Sequence, residues 1–476
     1  MSVREHVDVV VVGAGSAGSA AAAFLAEQGR SVMVVDRRGR ERAGARWVNG
    51  VPLWCFDRAG IARPDEPERF SGGHDFLVGV HESDVRIRVR GVEGVDLDMR
   101  ALTARLAGRA ERAGARFLEG AVTAVTLATG RVTELSIETP SGRLGLAPRL
   151  VVDASGLSGA VRRRVPGFAE LCPTPAEEDL CAAAQHQYRI ADETAFRAFL
   201  RDHDATPGDS VGWLGVAGGY STLTLFTEPT CREVGVLTGS IRALGHPSGA
   251  QILRRFVEAQ PWIGEHLYGG QGAIPIRRPF VRLAGFGVAL VGDAGCQVYA
   301  AHGSGVGMGL VASRILSDSV SRSQDPGHPR ALRRYERRFH RRHGGVLAGS
   351  DAFRRFSQAL ERDDIEALLR SGLLDAELFA MGLSQKPARV RPAWLLAQIG
   401  RAVREPARAR QVAPAVLRVL ALQTLLRRVA PPRSLPAARL FDRLLSHLTG
   451  GQDRPPQVRE IVAPPGEHVQ SAQAAR

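Results

Sequence analysis

Lysine is all but missing from this 476-residue chain: Lys386 is the only one, against a combined lysine and arginine count of 63. Almost every positive charge is therefore an arginine, and the accompanying wealth of Ala, Gly and Pro suits GC-rich coding as a partial source of the formal charge of +14. Such a charge fits either a solvated arginine-rich surface or an anionic partner. The C-terminal arginines Arg418, Arg427 and Arg428 have no aromatic residue among them in the manner of a single-strand binder, so no nucleic-acid partner is expected. Cysteine is sparse and odd in number (Cys55, Cys172, Cys181, Cys231, Cys296) and forms no C-x-x-C pair. Neither a disulfide framework nor a metal site can be read from it, and a reducing compartment follows. No apolar run reaches the roughly 18 residues of a membrane-crossing helix. The start, Met1 to His6, shows no basic and apolar leader. A cytoplasmic protein is expected, with contact at the inner membrane face as its only route to lipid.

With 44% hydrophobic residues, the chain has material for a large core in two or three domains. Val7 to Val12 is a β-branched run that ends on glycines, which predicts a buried parallel strand. Ser16 to Gln28 predicts a helix, Ser31 to Val35 a second strand, and Gly39 to about Asp75 an elaborated loop. Leu97 to Ala113 predicts an amphipathic helix. Alternation from Val122 to Leu146 around Thr129-Gly130 and Ser141-Gly142 predicts a β-meander. Beyond Cys181, strand-like runs (Gly219 to Phe226, Glu233 to Leu237) alternate with helical ones, which predicts a largely antiparallel insertion up to Arg278. A buried strand at Gly287 to Val291 and a helix from Gly305 to Val320 follow.

Between the first strand and helix stands Gly13-Ala14-Gly15-Ser16-Ala17-Gly18, a G-x-G-x-x-G turn. Gly13 permits the tight turn, Gly15 lets a pyrophosphate approach the backbone, and Gly18 lets the helix pack closely on the strand. The helix start offers free N–H groups and a positive dipole end to phosphate. Asp36, at the end of the second strand, can accept from ribose hydroxyls and would repel a 2′-phosphate. Two later blocks also place glycines beside an aspartate. One is Asp153-Ala154-Ser155-Gly156 with Arg162 behind it; the other is Gly292-Asp293-Ala294-Gly295-Cys296-Gln297-Val298 running into His302-Gly303-Ser304-Gly305.

Together these blocks resemble the geranylgeranyl reductase family, within the superfamily of flavin hydroxylases and flavin-dependent halogenases, over roughly residues 1 to 345. The resemblance implies an α/β plus α architecture. Its core is a Rossmann-like, glutathione-reductase-type three-layer ββα FAD domain, with an inserted antiparallel-sheet substrate domain and a helical C-terminal region. The implied segments are 1-75, 96-175 and 281-325 for FAD, 76-95 and 176-280 for substrate, 326-450 for helices and 451-476 for a disordered tail. It implies FAD as cofactor, reduced by NAD(P)H or by a reduced protein donor, since no second dinucleotide fingerprint exists. Asp293 would bind the ribityl chain, and the helix start at Gly303, Ser304, Gly305 and Val306 would face the flavin's pyrimidine edge and stabilise negative charge there. Arg100 matches the superfamily's FAD-contacting arginine. Gly13, Gly15, Ser16, Ala17, Gly18, Asp36, Arg37, Arg46, Val122, Asp153, Gly156 and Gly292 complete the candidate cofactor set, with Trp47 and Asn49 beside Arg46.

The implied chemistry is reduction of C=C bonds in a hydrophobic isoprenoid or lipid substrate by hydride from reduced FAD. Two candidates could supply the proton: His302 as an acid near neutral pH, and Cys55, where lipid reductases place a functional cysteine. The plainer alternatives are a packing histidine and a small buried hydrophobe. An FAD-dependent NAD(P)H monooxygenase is the alternative activity, although Ala154 stands where hydroxylases carry a glycine. A halogenase would need a lysine near the flavin, and Lys386 lies far beyond the flavin blocks beside Pro387. A flavin-binding interaction protein without catalysis is a third option. Departures bear on the substrate: Ala300 replaces a customary proline, and Val211-Gly212-Trp213-Leu214-Gly215 is at most a remnant of the family's aromatic motif.

In the C-terminal region, Val419, Leu422, Leu425, Leu426 and Val429 share one helical face with Arg418 on its edge. Two options stand for that basic helix: it caps the flavin domain, or it lies in an anionic membrane interface.

Overall fold

The computed structural model describes residues 4–72, 75–387 and 391–451, so the tail expectation falls outside the described residues except at Gly451. The first β-branched run forms β1 (Arg4–Val12). The alanine-rich α1 (Ser16–Ala26) carries the chain back to β2 (Val32–Asp36), parallel to β1. Small side chains explain how closely α1 lies on the sheet: Ala20 to Ala23 are fully buried.

The segment expected as a loop is ordered. It holds β3 (Val48–Pro52), α2 (Leu53–Ala59) and β4 (Arg69–Gly72). Next, β5 (Phe76–Val80) and β6 (Arg86–Val89) enter a second sheet, and β7 (Gly94–Asp98) returns to pair with both β3 and β4. Local glycines, prolines and charges hid these elements. Their apolar positions, such as Val48, Val51 and Phe56, become buried only against distant helices.

Asp98 caps α3 (Met99–Arg112) by accepting from the Arg100 N–H. Then come β8 (Arg116–Glu119), β9 (Ala121–Ala128), β10 (Arg131–Thr139) and the long β11 (Gly142–Asp153). The first meander turn uses positive φ at both Thr129 (50°) and Gly130 (75°), which suits a tight hairpin. After α4 (Pro166–Leu171) the chain builds β12 (Leu180–Ile190), α5 (Glu193–Asp202), β13 (Ser210–Leu214), β14 (Ser221–Thr227), β15 (Glu233–Ser240), α6 (Gly249–Glu258) and β16 (Ile263–Pro275). It returns through β17 (Ala284–Gly285) and β18 (Val288–Leu290) to α7 (Val306–Val320).

Parallel strands β18, β11, β1, β2 and β8 form the heart of the first sheet. One side buries α1, α3 and α7 around Val9, Val11, Leu102 and Met308. The other buries the β9–β10 meander around Val10, Val12, Leu135 and Ile137. This is a three-layer ββα architecture. The second sheet runs β16-β12-β15-β14-β13-β5-β6 and is antiparallel except where β5 meets β13. Helices α5 and α6 cover one of its faces.

The remainder is helical: α8 (Pro329–Phe339), α9 (Gly345–Ser357), α10 (Arg362–Arg370), α11 (Ala376–Ser384), α12 (Pro392–Arg404), α13 (Pro406–Arg428) and α14 (Leu435–Thr449). The apolar stripe of α13, for which a membrane interface was one option, is turned inward. Leu422 and Leu426 are buried in the second core, and Val419 and Leu425 pack on it. Only Val429 of that set is exposed; the outward apolar residues of α13 are Val416, Leu417 and Leu420.

Candidate cofactor cleft and active site

The glycine turn shows three different steric situations. Gly13 has φ of 104°, and a Cβ there would lie 2.3 Å from the Ala154 carbonyl oxygen. A Cβ on Gly18 would meet the Gly13 carbonyl oxygen at 1.9 Å. At Gly15 the nearest atom stands at 3.6 Å, on Gly44, so the space in front of it is open. Gly15 also caps α1 without a side-chain partner, which leaves the first-turn N–H groups around Ser16 and Ala17 available to an anion. Asp36 accepts from the Ala14 N–H (2.8 Å) and the Arg38 N–H (2.9 Å), tying the end of β2 to the turn while each oxygen keeps a free lone pair. Arg37 and Arg46 are exposed beside it.

The late Gly-Asp block lies against this turn: a Cβ on Gly292 would come within 3.3 Å of the Ala17 methyl. Gln297, unassigned from sequence, organises the block. Its Oε1 accepts from the Gly292 N–H at 2.8 Å and its Nε2 donates to Tyr335 Oη, which donates to the Leu290 carbonyl. Asp293 differs from every other acid here. No donor of the described chain reaches its carboxylate, and burial pushes its pKa up to about 6. Its Oδ1 points at Gly305, where a Cβ would stand only 3.0 Å away. Gly303 (φ 70°) and Gly305 lead into α7, again without a side-chain cap, and Ser304 Oγ donates to the Gly50 carbonyl (3.3 Å). Two uncapped helix starts, an open glycine backbone and an unpartnered carboxylate thus line one cleft. That donor and acceptor set fits FAD: α1 would hold the phosphates, Asp36 the ribose, Asp293 the ribityl hydroxyls and the start of α7 the ring's pyrimidine edge.

Four candidates sit differently from expectation. Asp153 is fully buried. Its carboxylate accepts from the Ser155, Val161 and Arg162 N–H groups and from Ser155 Oγ, so it holds the loop at Gly156 rather than presenting oxygens to a ligand. Val122 lies opposite Ile137 with its side chain in the meander core, leaving only its backbone to meet a nucleotide. Arg100 pairs with Asp98 (2.6 Å), and its guanidinium lies 3.4 Å from the centre of the Tyr268 ring. Cys55 has no solvent exposure: on α2 it packs against Gly307 of α7, and burial pushes its thiol pKa up. That position, enclosed and with a raised pKa, suits a small buried side chain rather than a thiolate nucleophile. Replacing Cys55 by alanine is expected to leave turnover within about twofold and to cost on the order of 1 kcal/mol of stability for the lost buried atom. Steady-state rates and a melting curve check both.

His302 does stand at the mouth of α7. Its ring stacks on Tyr299 at 4.7 Å between centroids. Crowding by the surrounding chain lowers its pKa, although the ring stays open to water at the cleft mouth. The lowered pKa disfavours the charged imidazolium and leaves the ring nitrogens to hydrogen-bond at the mouth of the cleft. Lys386 lies at the surface beside Glu93 (3.6 Å), and its ammonium is half exposed.

Facing α7 is the side of the second sheet opposite α5 and α6. Gly303 looks onto Ile274 and the Tyr220 hydroxyl, which donates to the Ala300 carbonyl. Along the same face run Gly270 and Gly272 of β16, Ala183 of β12 and Gly239 of β15. Their small size admits the Trp47 ring, which a Cβ on Gly270 would strike at 2.9 Å. The Val48 N–H donates to Gln185 Oε1, fastening that loop to the sheet.

Residues 8–68 match the family model described as FAD dependent oxidoreductase. The chain is 27% identical to digeranylgeranylglycerophospholipid reductase 2 of Methanopyrus kandleri, over 76% of this chain and 92% of that protein. It is 24% identical to digeranylgeranylglycerophospholipid reductase of Sulfolobus acidocaldarius, over 78% and 81% respectively. Among solved structures, a geranylgeranyl bacteriochlorophyll reductase-like protein of Thermoplasma acidophilum superposes with a TM-score of 0.70 at 18% identity, covering 87% of this chain and all of that one.

Proposed function

We infer that this chain, an FAD-dependent oxidoreductase of the geranylgeranyl reductase family, saturates C=C bonds of an isoprenoid lipid with hydride from reduced FAD. The observation that carries the reading is the pairing of two surfaces. The uncapped α7 start with its unpartnered Asp293 lies across from a sheet face of Ile274, Ala183 and glycines that has no charged side chain along those positions. Such a face accepts a hydrophobic chain and excludes water from the reaction. Bound FAD supplies the hydride. The protein's own residues hold the ring edge at α7, keep the chain flat against β12 and β16, and leave His302 to hydrogen-bond at the mouth. The final proton then comes from solvent, from His302 at the mouth or from a group on the substrate side, since Cys55 is enclosed. The names of the Methanopyrus and Sulfolobus relatives point to the same substrate class. No second dinucleotide turn accompanies the first, so we assign the electron donor to a transiently docking NAD(P)H or reduced protein.

Anaerobic enzyme carrying chemically reduced FAD is expected to add two hydrogens per double bond to a geranylgeranyl glycerolipid, read by mass spectrometry. Unchanged lipid across several chain lengths, together with substrate-stimulated oxygen uptake under NADPH, would replace this reading with the monooxygenase one.

A further inference from the structure

We propose that α12, α13 and α14, bordered by an arginine ridge on α8, form a surface that docks on an anionic lipid bilayer. The choice of a bilayer as occupant rests on the lipid-substrate reading above, whereas the surface itself rests on geometry. Eleven of the thirteen exposed large hydrophobic side chains among the described residues lie between Leu395 and Leu444. On α12, Leu395, Leu396, Ile399 and Val403 follow helical spacing along one face and are 47–74% exposed. On α13, Val416, Leu417 and Leu420 point away from Leu422 and Leu426, whose side packs on α9. On α14, Leu440 (70% exposed) and Leu444 lie opposite the buried Phe441 and Leu445. Both α13 and α14 rest on α9, so their outward leucines belong to the same outer layer. An apolar surface of this extent on a protein in water marks a contact site.

Beside it runs the ridge. Arg330, Arg333, Arg334, Arg337, Arg338 and Arg341 recur at i, i+3, i+4, i+7, i+8 and i+11, one continuous helical stripe, and with Arg433 they line a groove of about 320 Å³. Among the described residues, only Arg333 of these seven has a carboxylate partner, Glu336. Like charges at such spacing repel, and Arg342 nearby feels it: burial and the charges of Arg58 and Arg338 lower its pKa. The ridge is joined to the apolar layer. Arg341 Nε donates to the Arg427 carbonyl (3.3 Å), Arg333 donates to that of Pro431, and Arg282 to that of Arg433 (3.0 Å).

Leucines bordered by unpaired arginines are the makings of an interfacial anchor, with side chains in the acyl boundary and guanidinium groups at the phosphates. Nucleic acid would leave the leucines uncovered. A second copy seated on the leucines would leave the bordering arginines without an anionic partner. No helix among the described residues is long and apolar enough to cross the membrane, so the contact is one of surface. An isoprenoid substrate, itself resident in the bilayer, would then reach the cleft without passing through water.

The test uses the full-length, FAD-loaded protein with vesicles of phosphatidylcholine alone or mixed with phosphatidylglycerol, neither containing an isoprenoid. Co-sedimentation is expected only with the anionic mixture and is expected to fall as salt rises. The Arg337→Glu/Arg338→Glu pair should weaken it by well over tenfold, at about fivefold per unit of charge. Leu417→Asp/Leu440→Asp should abolish it, with flavin content and melting temperature unchanged in both variants. Equal binding to neutral vesicles, or wild-type binding by the leucine variant, would overturn the proposal. So would a wild-type dimer, seen by light scattering, that the leucine variant splits while vesicles go unbound, or duplex DNA binding lost with the arginines in place of vesicle binding. Vesicle binding by an enzyme that saturates no lipid would leave this surface standing and remove the reductase reading. Turnover of detergent-dispersed lipid without vesicle binding would do the reverse.

Discussion

Alanine in place of Asp293 is expected to yield a folded protein that purifies almost free of flavin, with FAD affinity lowered by about ten- to a hundredfold. Hydrogen bonds from a ligand to a charged acceptor are each worth about 1.5–3 kcal/mol, and this carboxylate has no protein donor with which to share them. The same feature makes a stability prediction for the apoprotein. Burial raises the folded-state pKa to about 6, above the ordinary aspartate value. Between those two values the folded state holds a proton that the unfolded state has released, so stability falls as pH rises through that window. Above about pH 6 the penalty is complete. Apo wild type should therefore lose melting temperature relative to Asp293→Asn between about pH 4 and 6, and the gap should close when FAD is added, because ribityl hydroxyls then solvate the charge. Flavin absorbance after gel filtration and apo melting curves across pH check both. A pH-independent gap, or full flavin content in the alanine variant, would remove Asp293 from the cofactor site.

The larger effect on folding is expected at Gly13. Alanine there must adopt a φ of 104° and place its methyl 2.3 Å from a backbone carbonyl that cannot swing aside. Left-handed strain of about 1–2 kcal/mol and overpacking of about 1–3 kcal/mol together take away a large part of a typical stability of about 5–15 kcal/mol. Gly13→Ala should express mainly as insoluble protein. Gly15→Ala should behave in the opposite way, because its methyl meets nothing closer than 3.6 Å. It should fold with near wild-type melting in the apo form and lose FAD affinity, since the methyl occupies the space where a pyrophosphate approaches. Soluble yield, apo melting and flavin titration separate the two glycines. Equal behaviour would mean that the turn is not built around a ligand.

Local chemistry was readable from the chain in order. The run Val7 to Val12, the spacing of Gly13, Gly15 and Gly18, and Asp36 define a strand, turn, helix and strand whose contacts all fall within some thirty residues, and the structure has them as β1, α1 and β2. The meander around Thr129-Gly130 was equally legible, because its register depends on a turn and on alternation. Where burial decides the role of a residue, sequence left the alternatives open. Cys55 could be functional or inert until α7 was seen to close over it. Asp153 had the composition of a ligand-binding acid, and only the chain folding back at Val161 and Arg162 turned it into a loop anchor. His302 kept its place, and the direction of its pKa shift is set by crowding from neighbours that are remote in sequence.

The C-terminal helices show the same division. Spacing established that α13 has an apolar stripe through Leu422 and Leu426, yet not what covers it, and α9 turned out to do so. The glycine turn was determined by sequence alone, because backbone geometry at short range specifies it, and the cofactor class followed from the family resemblance that the Gly292-Asp293 block carries. Which acids remain unpartnered, which sulfur is enclosed and which leucines are left to face outward were decided only by tertiary structure. Those properties belong to the neighbours that long-range packing brings together.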